Sequence, residues 1–470
     1  MSACQKSLPM LFPETADTIA AISTASGRAA IAVLRVSGPL AHSVGSRAVQ
    51  PWKSDERRPY QATLWDCQTG SVIDKPVVTV YHAPRSYTGE DLVELSVHGG
   101  TMVPALGLVA LLHAGAREAH GGEFTRRAVL NGKIDLLQAE GVGDLIDARS
   151  AVMHASALAQ LEGKLSSRIS LIQRQLLDME ALVVYDIDFP EEDDGPITPE
   201  RIGGALDVLQ KELDGLLRSA DIGELYRDGV LVVIAGAPNA GKSSLFNALI
   251  GRNRSIVTDL PGTTRDALEA VIELGGWTVR LVDTAGLRVA QDVIEQMGIE
   301  VSEEYLSRAN YVLACGESLP TLAAAIEHIG ATTSAPIIPI WTKADLRKDA
   351  GERKTVHLDG TSTSVVSISV HSEEGIELLL TSLVGLFPPL RSELTLAESA
   401  VLTRERHRQS VQRARDEIGT FAQLWREGKL PISLATTYLK SAETALEEMI
   451  GTVEIDDVLD NLFRTFCVGK

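Results

Sequence analysis

The sequence predicts a multidomain fold: an α+β N-terminal domain, an all-α helical domain, and an α/β domain inserted into the helical one. Short β-rich runs separated by turns fill residues 17–130. Beyond them, apolar residues recur three to four positions apart on both sides of a central region in which strand-like and helix-like segments alternate. At 470 residues the chain is long enough for three domains of ordinary size.

The N-terminal part reads as a small α+β domain. Its predicted strands are 30–36, 77–81 and 92–97, and its predicted helices are 103–114 and 124–130.

The flanks of the central region predict one helical domain. Helical periodicity covers 136–185, a Pro-rich loop follows at 189–196, and a helix is predicted at 199–220. After Phe387-Pro-Pro389, helical periodicity resumes over 396–466. The predicted domains are 1–133 (N-terminal), 134–227 (helical, first part), 228–386 (inserted α/β) and 387–470 (helical, second part). A doubly wound sheet suits insertion because its two ends can lie close together.

Residues 236–243 read Gly-Ala-Pro-Asn-Ala-Gly-Lys-Ser and match the phosphate-loop pattern G-x-x-x-x-G-K-S. An apolar run at 230–235 enters the loop and a helix-like segment at 244–250 leaves it, which is the context that the motif requires. In such loops the backbone N–H groups and the helix N-terminus surround phosphates. Lys242 is then expected to reach the β- and γ-phosphates, and the Ser243 hydroxyl to bind Mg²⁺.

Two further segments fit the same site. Asp283-Thr-Ala-Gly286 closes the apolar run 277–282, as a strand does when it delivers a carboxylate to the Mg²⁺ shell and a glycine amide to the γ-phosphate. The polar segment 258–266 lies between them and is a candidate switch, in which Thr264 is expected to bind Mg²⁺ only while the γ-phosphate is present.

The base is predicted from Thr342-Lys-Ala-Asp345, which ends the run 336–341 where guanine-reading enzymes carry Asn-Lys-x-Asp. The Asp345 carboxylate can accept hydrogen bonds from guanine N1–H and the exocyclic amine, a pair that adenine lacks. Thr342 lacks the amide of the usual Asn, so we expect a loss on the order of 1 kcal/mol without a change of nucleotide. These features predict a Ras-like P-loop G domain.

A weaker fifth element follows the run 365–368. The residues predicted to bind GTP are Asn239, Ala240, Gly241, Lys242, Ser243, Ser244, Thr258, Asp259, Leu260, Pro261, Gly262, Thr263, Thr264, Asp283, Thr284, Ala285, Gly286, Thr342, Lys343, Ala344, Asp345, Ser369, Val370 and His371.

Composition limits the class of protein. The hydrophobic fraction is 44%, and no stretch approaches the ~20 apolar residues of a membrane span. No signal peptide is evident. Four cysteines (Cys4, Cys67, Cys315 and Cys467) lack metal-type spacing, which suits a reducing cytosol, so we expect a cytoplasmic protein without a membrane partner.

The formal net charge of −19 argues against general coating of nucleic acid. One predicted helix nevertheless carries an arginine cluster, for which a solvated helix face is the favoured interpretation and a local basic patch the alternative. Its members are Arg404, Arg406, Arg408, Arg413 and Arg415.

Further motifs run along the whole chain, at 17–21, 33–38, 87–95, 98–100, 122–128, 130–136 and 138–147, and it ends in Phe466-Cys-Val-Gly-Lys470. With the nucleotide motifs, they make the chain resemble the MnmE (also called TrmE) family of tRNA-modification GTPases essentially end to end. Many GTPases share a phosphate loop, so its combination with the terminal Cys-x-Gly-Lys is the specific feature.

The resemblance implies a homodimer that forms a heterotetramer with an FAD-dependent partner, MnmG (GidA). Together they would add a carboxymethylaminomethyl or aminomethyl group at C5 of the wobble uridine of certain tRNAs. The one-carbon unit would come from 5,10-methylene- or 5-formyl-tetrahydrofolate bound by the N-terminal domain, which also dimerises. The G domains would hydrolyse GTP with the help of K⁺ as they approach one another.

Residue roles also follow from the resemblance. It places folate at Arg35, Glu94, Lys133 and Lys470, where a carboxylate can pair with the pterin N–H edge and basic groups can hold the glutamate tail. It places Cys467 beside the one-carbon unit, as a nucleophile, a proton carrier or merely a buried residue.

The GTPase step is implied in the same way. K⁺ takes the space of an arginine finger and stabilises developing negative charge. Glu295 is implied to be the catalytic residue that orients the attacking water. The implied K⁺ ligands are Asn239, Thr258, Leu260 and Thr263.

Other interpretations stay open at this point. A regulatory or ribosome-assembly GTPase would show no specific binding of 5-formyltetrahydrofolate, and would keep its function without residues 466–470. A scaffold that merely dimerises the G domain would show GTP hydrolysis but no effect of Cys467→Ser on tRNA modification. An ATPase is the weakest alternative, because Asp345 would find no N1–H on adenine.

Overall fold

The structure is a computed structural model that describes residues 17–55, 57–188, 199–252, 268–284, 303–347, 351–358, 361–389, 400–427, 432–451, 466 and 469. Within them the chain divides into two compact units. The first comprises the described residues within Met1–Gly143, Gln160–Lys211 and Ser410–Lys470, and the second comprises those within Asp144–Ala159 and Glu212–Gln409. The chain therefore leaves the first unit and returns to it, as an inserted domain requires, while the predicted domain boundaries stay predictions.

The first unit contains the predicted α+β domain. Its elements are β1 (Ile19–Ile22), β2 (Ile31–Ser37), α1 (Ala41–Ala48), β3 (Val49–Gln50), β4 (Tyr60–Gln61), β5 (Thr63–Trp65), β6 (Val72–Asp74), β7 (Val77–Tyr81), β8 (Leu92–His98), α2 (Met102–His113), β9 (Arg117–Glu118) and α3 (Glu123–Leu130). A six-stranded sheet has the order β4-β7-β8-β2-β1-β9, and a small sheet has the order β3-β5-β6. The three predicted strands and two predicted helices are confirmed.

The core beside this sheet is formed by alternate residues of its strands. In β2 the residues Ala32, Leu34 and Val36 are buried and alternate with less buried ones, so one face packs against the helices. Strands β2 and β8 are antiparallel, and their register places Arg35 opposite Glu94.

Long helices follow: α4 (Leu136–Asp147), α5 (Ala151–Leu161), α6 (Lys164–Asp188), α7 (Pro199–Leu217) and α8 (Ala220–Asp228). The helix predicted at 199–220 is wrong at its end, because the chain turns at Ser219, whose N–H and hydroxyl both bond to Leu216 O. Buried positions in α6 recur three or four apart, at Leu165, Ile169, Ile172, Leu176, Met179 and Val183. The predicted loop 189–196 lies outside the described residues.

The second unit holds a seven-stranded sheet. Its elements are β10 (Val230–Gly236), α9 (Lys242–Arg252), β11 (Leu268–Leu274), β12 (Trp277–Asp283), β13 (Tyr311–Gly316), α10 (Leu319–Thr332), β14 (Ile337–Trp341), β15 (Arg353–Leu358), β16 (Thr361–Ser367) and α11 (Ile376–Val384). The strand order is β11-β12-β10-β13-β14-β16-β15, with parallel pairing from β12 to β16 and antiparallel pairing at both edges.

Both faces of this sheet are covered, as near-continuous apolar strands require. Val232 and Ile234 belong to a core cluster on one face, and Val233 and Ala235 to a cluster on the other. The chain continues with α12 (Glu405–Arg426) and α13 (Ile432–Ile450), and α13 packs against α6 within the first unit. These elements confirm the multidomain fold class with an α/β P-loop-type sheet.

Among the helices that the structure describes, none combines the length and the apolar character needed to cross a lipid bilayer.

Candidate functional site

The phosphate loop leaves the carboxyl end of β10 and enters α9 directly. Gly236 has φ 146°, and a Cβ added there would lie 2.2 Å from Cys315 O on the neighbouring strand, so only glycine fits. Asn239 has φ 62° and Gly241 has φ 85°. Asn is among the few side chains that tolerate the left-handed region. Glycine and asparagine therefore stand at the three loop positions whose positive φ angles most other residues avoid.

Lys242 begins α9 and is buried, with its Nζ donating to Gly236 O at 3.0 Å and to Ala237 O at 2.8 Å. The ammonium group is therefore held over the loop rather than extended into solvent. Ser243 and Ser244 follow in the first turn of α9 and are exposed. A helix N-terminus carries partial positive charge and unpaired N–H groups, which favour an anion at this end.

Asp283 and Thr284 lie at the same edge of the sheet. Asp283 is fully buried and is in register with Ile234 on β10. The N–H and the hydroxyl of Thr284 bond to Ile234 O at 3.3 and 2.9 Å. Because parallel strands end at the same edge of a sheet, Asp283, the carboxylate predicted for the Mg²⁺ site, lies next to β10, the strand that leads into the phosphate loop.

The loop after β14 forms the predicted base-reading segment. Thr342 is buried, and its N–H and hydroxyl both bond to Gly316 O, at 2.9 and 3.1 Å. A Cβ added at Gly241 would lie 3.7 Å from the Thr342 Cβ, so Thr342 lies beside the phosphate loop. Lys343 has φ 56° and its ammonium pairs with Glu317.

Asp345 and Ser369 meet across two neighbouring loops. The Ser369 hydroxyl donates to the Asp345 Oδ1 at 2.8 Å and accepts from Ser372 N–H at 3.2 Å. Ala344 N–H also bonds to Ile368 O at 2.9 Å. The structure therefore links the weak fifth element to Asp345, the carboxylate predicted to read the base, while Val370 is half-buried and His371 is exposed beside them.

Arg347 is an organising residue that the sequence reasoning missed. Its guanidinium lies 4.0 Å from the Trp341 ring centroid and donates to Thr342 O at 2.8 Å and to Ser367 Oγ at 3.3 Å. A planar cation can stack and donate at once, which a lysine could not do here. In the sequence, the position of Arg347 two residues after Asp345 is the signal that could have indicated this role.

The N-terminal sheet brings together two of the four residues assigned to folate. Arg35 donates to Glu94 Oε1 through Nε at 3.1 Å and through Nη2 at 2.9 Å. Tyr81 OH donates to Glu94 Oε2 at 3.2 Å. Burial, followed by the charge of Glu94, raises the pKa of the Tyr81 hydroxyl. The pair is only partly exposed, so a ligand here would meet ordered charges.

Two aromatic rings and the chain terminus complete this region. The Arg35 guanidinium lies 5.1 Å from the Tyr87 ring centroid and 5.6 Å from that of Phe124. Arg35 Nη1 also donates to Gly469 O at 3.4 Å. Lys133, in contrast, donates to Pro84 O at 3.0 Å. The structure thus places Gly469 beside Arg35 and shows no contact between Lys133 and the Arg35–Glu94 pair.

The comparisons with known proteins cover nearly the whole chain. The family model for the MnmE helical domain matches residues 136–467, and the model for the GTP-binding protein TrmE N-terminus matches residues 18–133. A tRNA modification GTPase MnmE of Salinibacter ruber is 39% identical over 463 residues, covering 97% of this chain and 99% of that protein. Another, from Desulforamulus reducens, is 34% identical over 461 residues, with the same two coverages. The chain belongs to the MnmE family of tRNA modification GTPases.

Among solved structures, the G domain of the T. maritima FeoB iron transporter is 28% identical, covering 33% of this chain and 97% of that one with a TM-score of 0.22.

Several of the predicted site residues lie outside the described residues. They are Thr258, Asp259, Leu260, Pro261, Gly262, Thr263, Thr264, Ala285, Gly286, Glu295, Cys467 and Lys470.

The arginine cluster of α12 is largely paired with carboxylates. Arg404 pairs with Asp144 at 2.6 Å and Arg408 with Glu405 at 2.7 Å, and Arg413 pairs with Glu448. Arg408 and Arg413 are exposed, in agreement with the predicted solvated helix face, whereas Arg404 precedes α12 and is half-buried.

Proposed function

We propose that this chain is a K⁺-activated GTP hydrolase that acts in tRNA modification. With an FAD-dependent MnmG (GidA) partner, it would add a carboxymethylaminomethyl or aminomethyl group at C5 of the wobble uridine of certain tRNAs. The one-carbon unit would come from 5,10-methylene- or 5-formyl-tetrahydrofolate. The observation that carries the proposal is the membership of the MnmE family over 97% of the chain.

The hydrolase part is supported by the convergence at one sheet edge. The phosphate loop follows β10, the buried Asp283 is the last residue of β12, and the loop that carries Thr342 and Asp345 follows β14; these parallel strands all end there. The donor set fits GTP with Mg²⁺: Ser243 offers a hydroxyl, Asp283 a carboxylate and Lys242 a cation. The Mg²⁺ ion supplies charge neutralisation for phosphoryl transfer when it is bound.

The K⁺ proposal rests on Asn239. Its side chain is exposed on the turn of the loop, where the backbone is left-handed. An amide oxygen is a suitable ligand for a hard monovalent cation. The segment that would cover the cation from the other side lies outside the described residues.

The folate proposal rests on the Arg35–Glu94 pair. A carboxylate can accept from the two N–H groups on one edge of a pterin, and the neighbouring guanidinium can hold an anionic tail. The Tyr87 ring lies beside Arg35, and Gly469 O accepts a hydrogen bond from the Arg35 guanidinium. We propose that Cys467, two residues earlier, and Lys470 act at the same place.

Homodimer formation is supported by an apolar stripe on α2. Met102, Leu106 and Val109 are 65%, 46% and 42% exposed. Their spacing of four and three residues places them on one face of the helix. Such a continuous apolar face is typical of an interaction surface. We propose that two copies of the chain pair through it, that the dimer joins MnmG in a heterotetramer, and that the assembly works in the cytoplasm.

The first test is steady-state GTP hydrolysis by the purified chain in KCl and in NaCl at equal ionic strength. Strong stimulation by K⁺ is expected, because a cation at the β- and γ-phosphates stabilises developing negative charge. Equal, slow rates in both salts would exclude K⁺ activation and favour a regulatory GTPase that needs an external activating protein.

The second test is equilibrium binding of 5-formyltetrahydrofolate to the full chain. Glu94→Gln should weaken binding about tenfold or more, since it removes a charged acceptor from a partly buried site. Glu118→Gln, on the edge strand β9 of the same sheet, is the matched control and should bind normally. If the wild-type chain binds no folate, the ribosome-assembly or regulatory alternative gains support.

A further inference from the structure

Three side chains with metal-ligand chemistry meet at one corner of the N-terminal domain. His42 lies on α1, His82 directly follows β7, and Asp91 directly precedes β8. Each offers one ligand atom, and these atoms all lie within 4.8 Å of one another. All three residues are half-buried, and the two imidazole rings lie edge to face with centroids 4.6 Å apart. No motif in the sequence indicated this cluster, because its members come from three separate elements.

Hydrogen bonds fix which ring nitrogens are available. The Nε2 of His42 lies 3.0 Å from Tyr81 O, and the Nε2 of His82 lies 3.0 Å from Ser54 O. A carbonyl oxygen only accepts, so in each neutral ring Nε2 carries the proton and Nδ1 presents a lone pair. A ring that donates one N–H to a carbonyl while its other nitrogen stays free has the usual arrangement of a metal-binding histidine.

The carboxylate is oriented in a similar way. Asp91 Oδ1 accepts from Ala83 N–H at 2.9 Å, while Asp91 Oδ2 lies 3.6 Å from His42 Nδ1. A separation of 3.6 Å is too long for a hydrogen bond. It suits two ligands of one ion: with metal–ligand distances of about 2.1 Å it corresponds to an angle of about 118° at the metal.

We propose that His42, His82 and Asp91 bind one divalent first-row transition metal ion, with water in the remaining position. Two imidazoles and one carboxylate suit Zn²⁺ or Co²⁺ better than Mg²⁺, which prefers oxygen ligands alone. His82 and Asp91 are the two ends of the segment 82–91. The metal would therefore fix this segment at its base and tie it to α1.

The experiment uses the full chain without a polyhistidine tag, titrated with Zn²⁺ in competition with a chromophoric chelator. One equivalent of Zn²⁺ should bind. His42→Ala and His82→Ala should each weaken binding about tenfold or more, since even loss of an outer-shell partner has that effect.

Matched controls exist in the same domain. His98 pairs with Asp74 at 2.7 Å and His113 with Asp66 at 3.0 Å. Within the described residues, neither of these histidines belongs to a group of three candidate metal ligands. His98→Ala and His113→Ala should keep the wild-type affinity. Equal affinity of the His42 and His82 variants and these controls would overturn the proposal, as would the absence of stoichiometric binding by the wild-type chain.

Asp91→Asn provides a second measurement that preserves side-chain shape. The visible absorption of bound Co²⁺ reports its coordination directly, whether or not the histidine variants fold. The spectrum should be lost or shifted in Asp91→Asn, and an unchanged spectrum would place the metal elsewhere.

Discussion

The hydroxyl of Ser369 donates a 2.8 Å hydrogen bond to the carboxylate of Asp345, joining the loops that follow β16 and β14. This bond is the main reason that the pKa of the Asp345 carboxyl is lowered. The carboxylate that is predicted to read the base is therefore oriented before any nucleotide arrives. A carboxylate oriented in advance loses less conformational freedom on binding.

Ser369→Ala should weaken GDP and GTP binding roughly three- to tenfold, the range expected for loss of one hydrogen bond. Fluorescent GDP titration measures the effect. Ser372→Ala is the matched control, because Ser372 contacts the Ser369 hydroxyl through its backbone N–H, which the substitution keeps. Equal affinities of the two variants would show that the bond does not orient Asp345 for guanine.

Thr342→Asn should tighten GDP binding several-fold. The threonine hydroxyl is committed to Gly316 O at 3.1 Å, whereas an asparagine amide brings both a donor and an acceptor to the loop. Thr342→Ser keeps the hydroxyl and should bind like the wild type. If Thr342→Asn binds more weakly than Thr342→Ser, the threonine is adapted to its place beside Gly241, and the predicted loss of affinity is wrong.

Asn239→Gly should abolish K⁺ stimulation of GTP hydrolysis while GDP affinity stays near that of the wild type. Glycine adopts the φ of 62° found at this position without strain, so the substitution removes the amide but keeps the loop. Asn239→Ala adds backbone strain and should also weaken nucleotide binding. Retained K⁺ stimulation in Asn239→Gly would remove this residue from the cation site.

Most of the G domain could be predicted from the sequence because its signals are local. The phosphate loop combines a fixed spacing with an apolar strand before it and a helix after it, and β10 and α9 occur where expected. The contact between Ser369 and Asp345 could not be predicted, because it depends on β14 and β16 being neighbours. Arg347 was missed for the same reason, since its partners come from two strands.

The N-terminal domain shows where local reasoning fails. The motif-derived pair Arg35 and Glu94 is brought together by the register of β2 and β8, which a sequence alone does not reveal. Lys133, which the resemblance assigns to the same site, donates to Pro84 O, and its role in folate binding stays a prediction. Nothing in the spacing of Asp17, Glu90 and Arg127 indicates that they form one ion cluster around a buried guanidinium, because burial of charge is a property of the folded sheet.

The thiol of Cys315 should be unreactive in the native protein. Its burial in β13, with a smaller contribution from Asp283, raises the pKa of the thiol to about 12, and the thiolate is the reactive form. A variant with Cys4→Ser, Cys67→Ser and Cys467→Ser should react with a disulfide reagent at pH 8 only after denaturation. Restoring the half-buried Cys67 should restore one reactive thiol. Rapid native labelling of Cys315 would show that β13 opens readily.

Arg127→Met should destabilise the N-terminal domain by about 3–5 kcal/mol, the usual effect of removing one partner from a buried ion pair. The Arg127 guanidinium is 2% exposed and bonds to Asp17, Glu90 and Glu123 at 2.6, 3.2 and 3.1 Å. Hydrogen exchange of the sheet amides measures the loss within this domain. Arg28→Met, at an exposed position, is the control and should change stability by less than about 0.5 kcal/mol.

The loss of stability in Arg127→Met should depend on pH, because the partners of Arg127 are titratable carboxylates. Burial, the largest influence, raises the pKa of Glu123, but hydrogen bonds from Arg117, from His120 N–H and from Arg127 bring it below its ordinary value of 4.5. Burial likewise raises the pKa of Asp17, but hydrogen bonds from Arg117 and Arg127 bring it below its ordinary value. A carboxyl whose pKa is lowered by folding contributes stability above its unfolded pKa and loses it as the pH falls toward the folded pKa. The difference between wild type and Arg127→Met should therefore be largest at pH 7 and shrink below about pH 4.5. A difference that stays constant down to pH 3 would mean that Arg127 stabilises the domain through packing alone, because protonation of its partners would then have no effect.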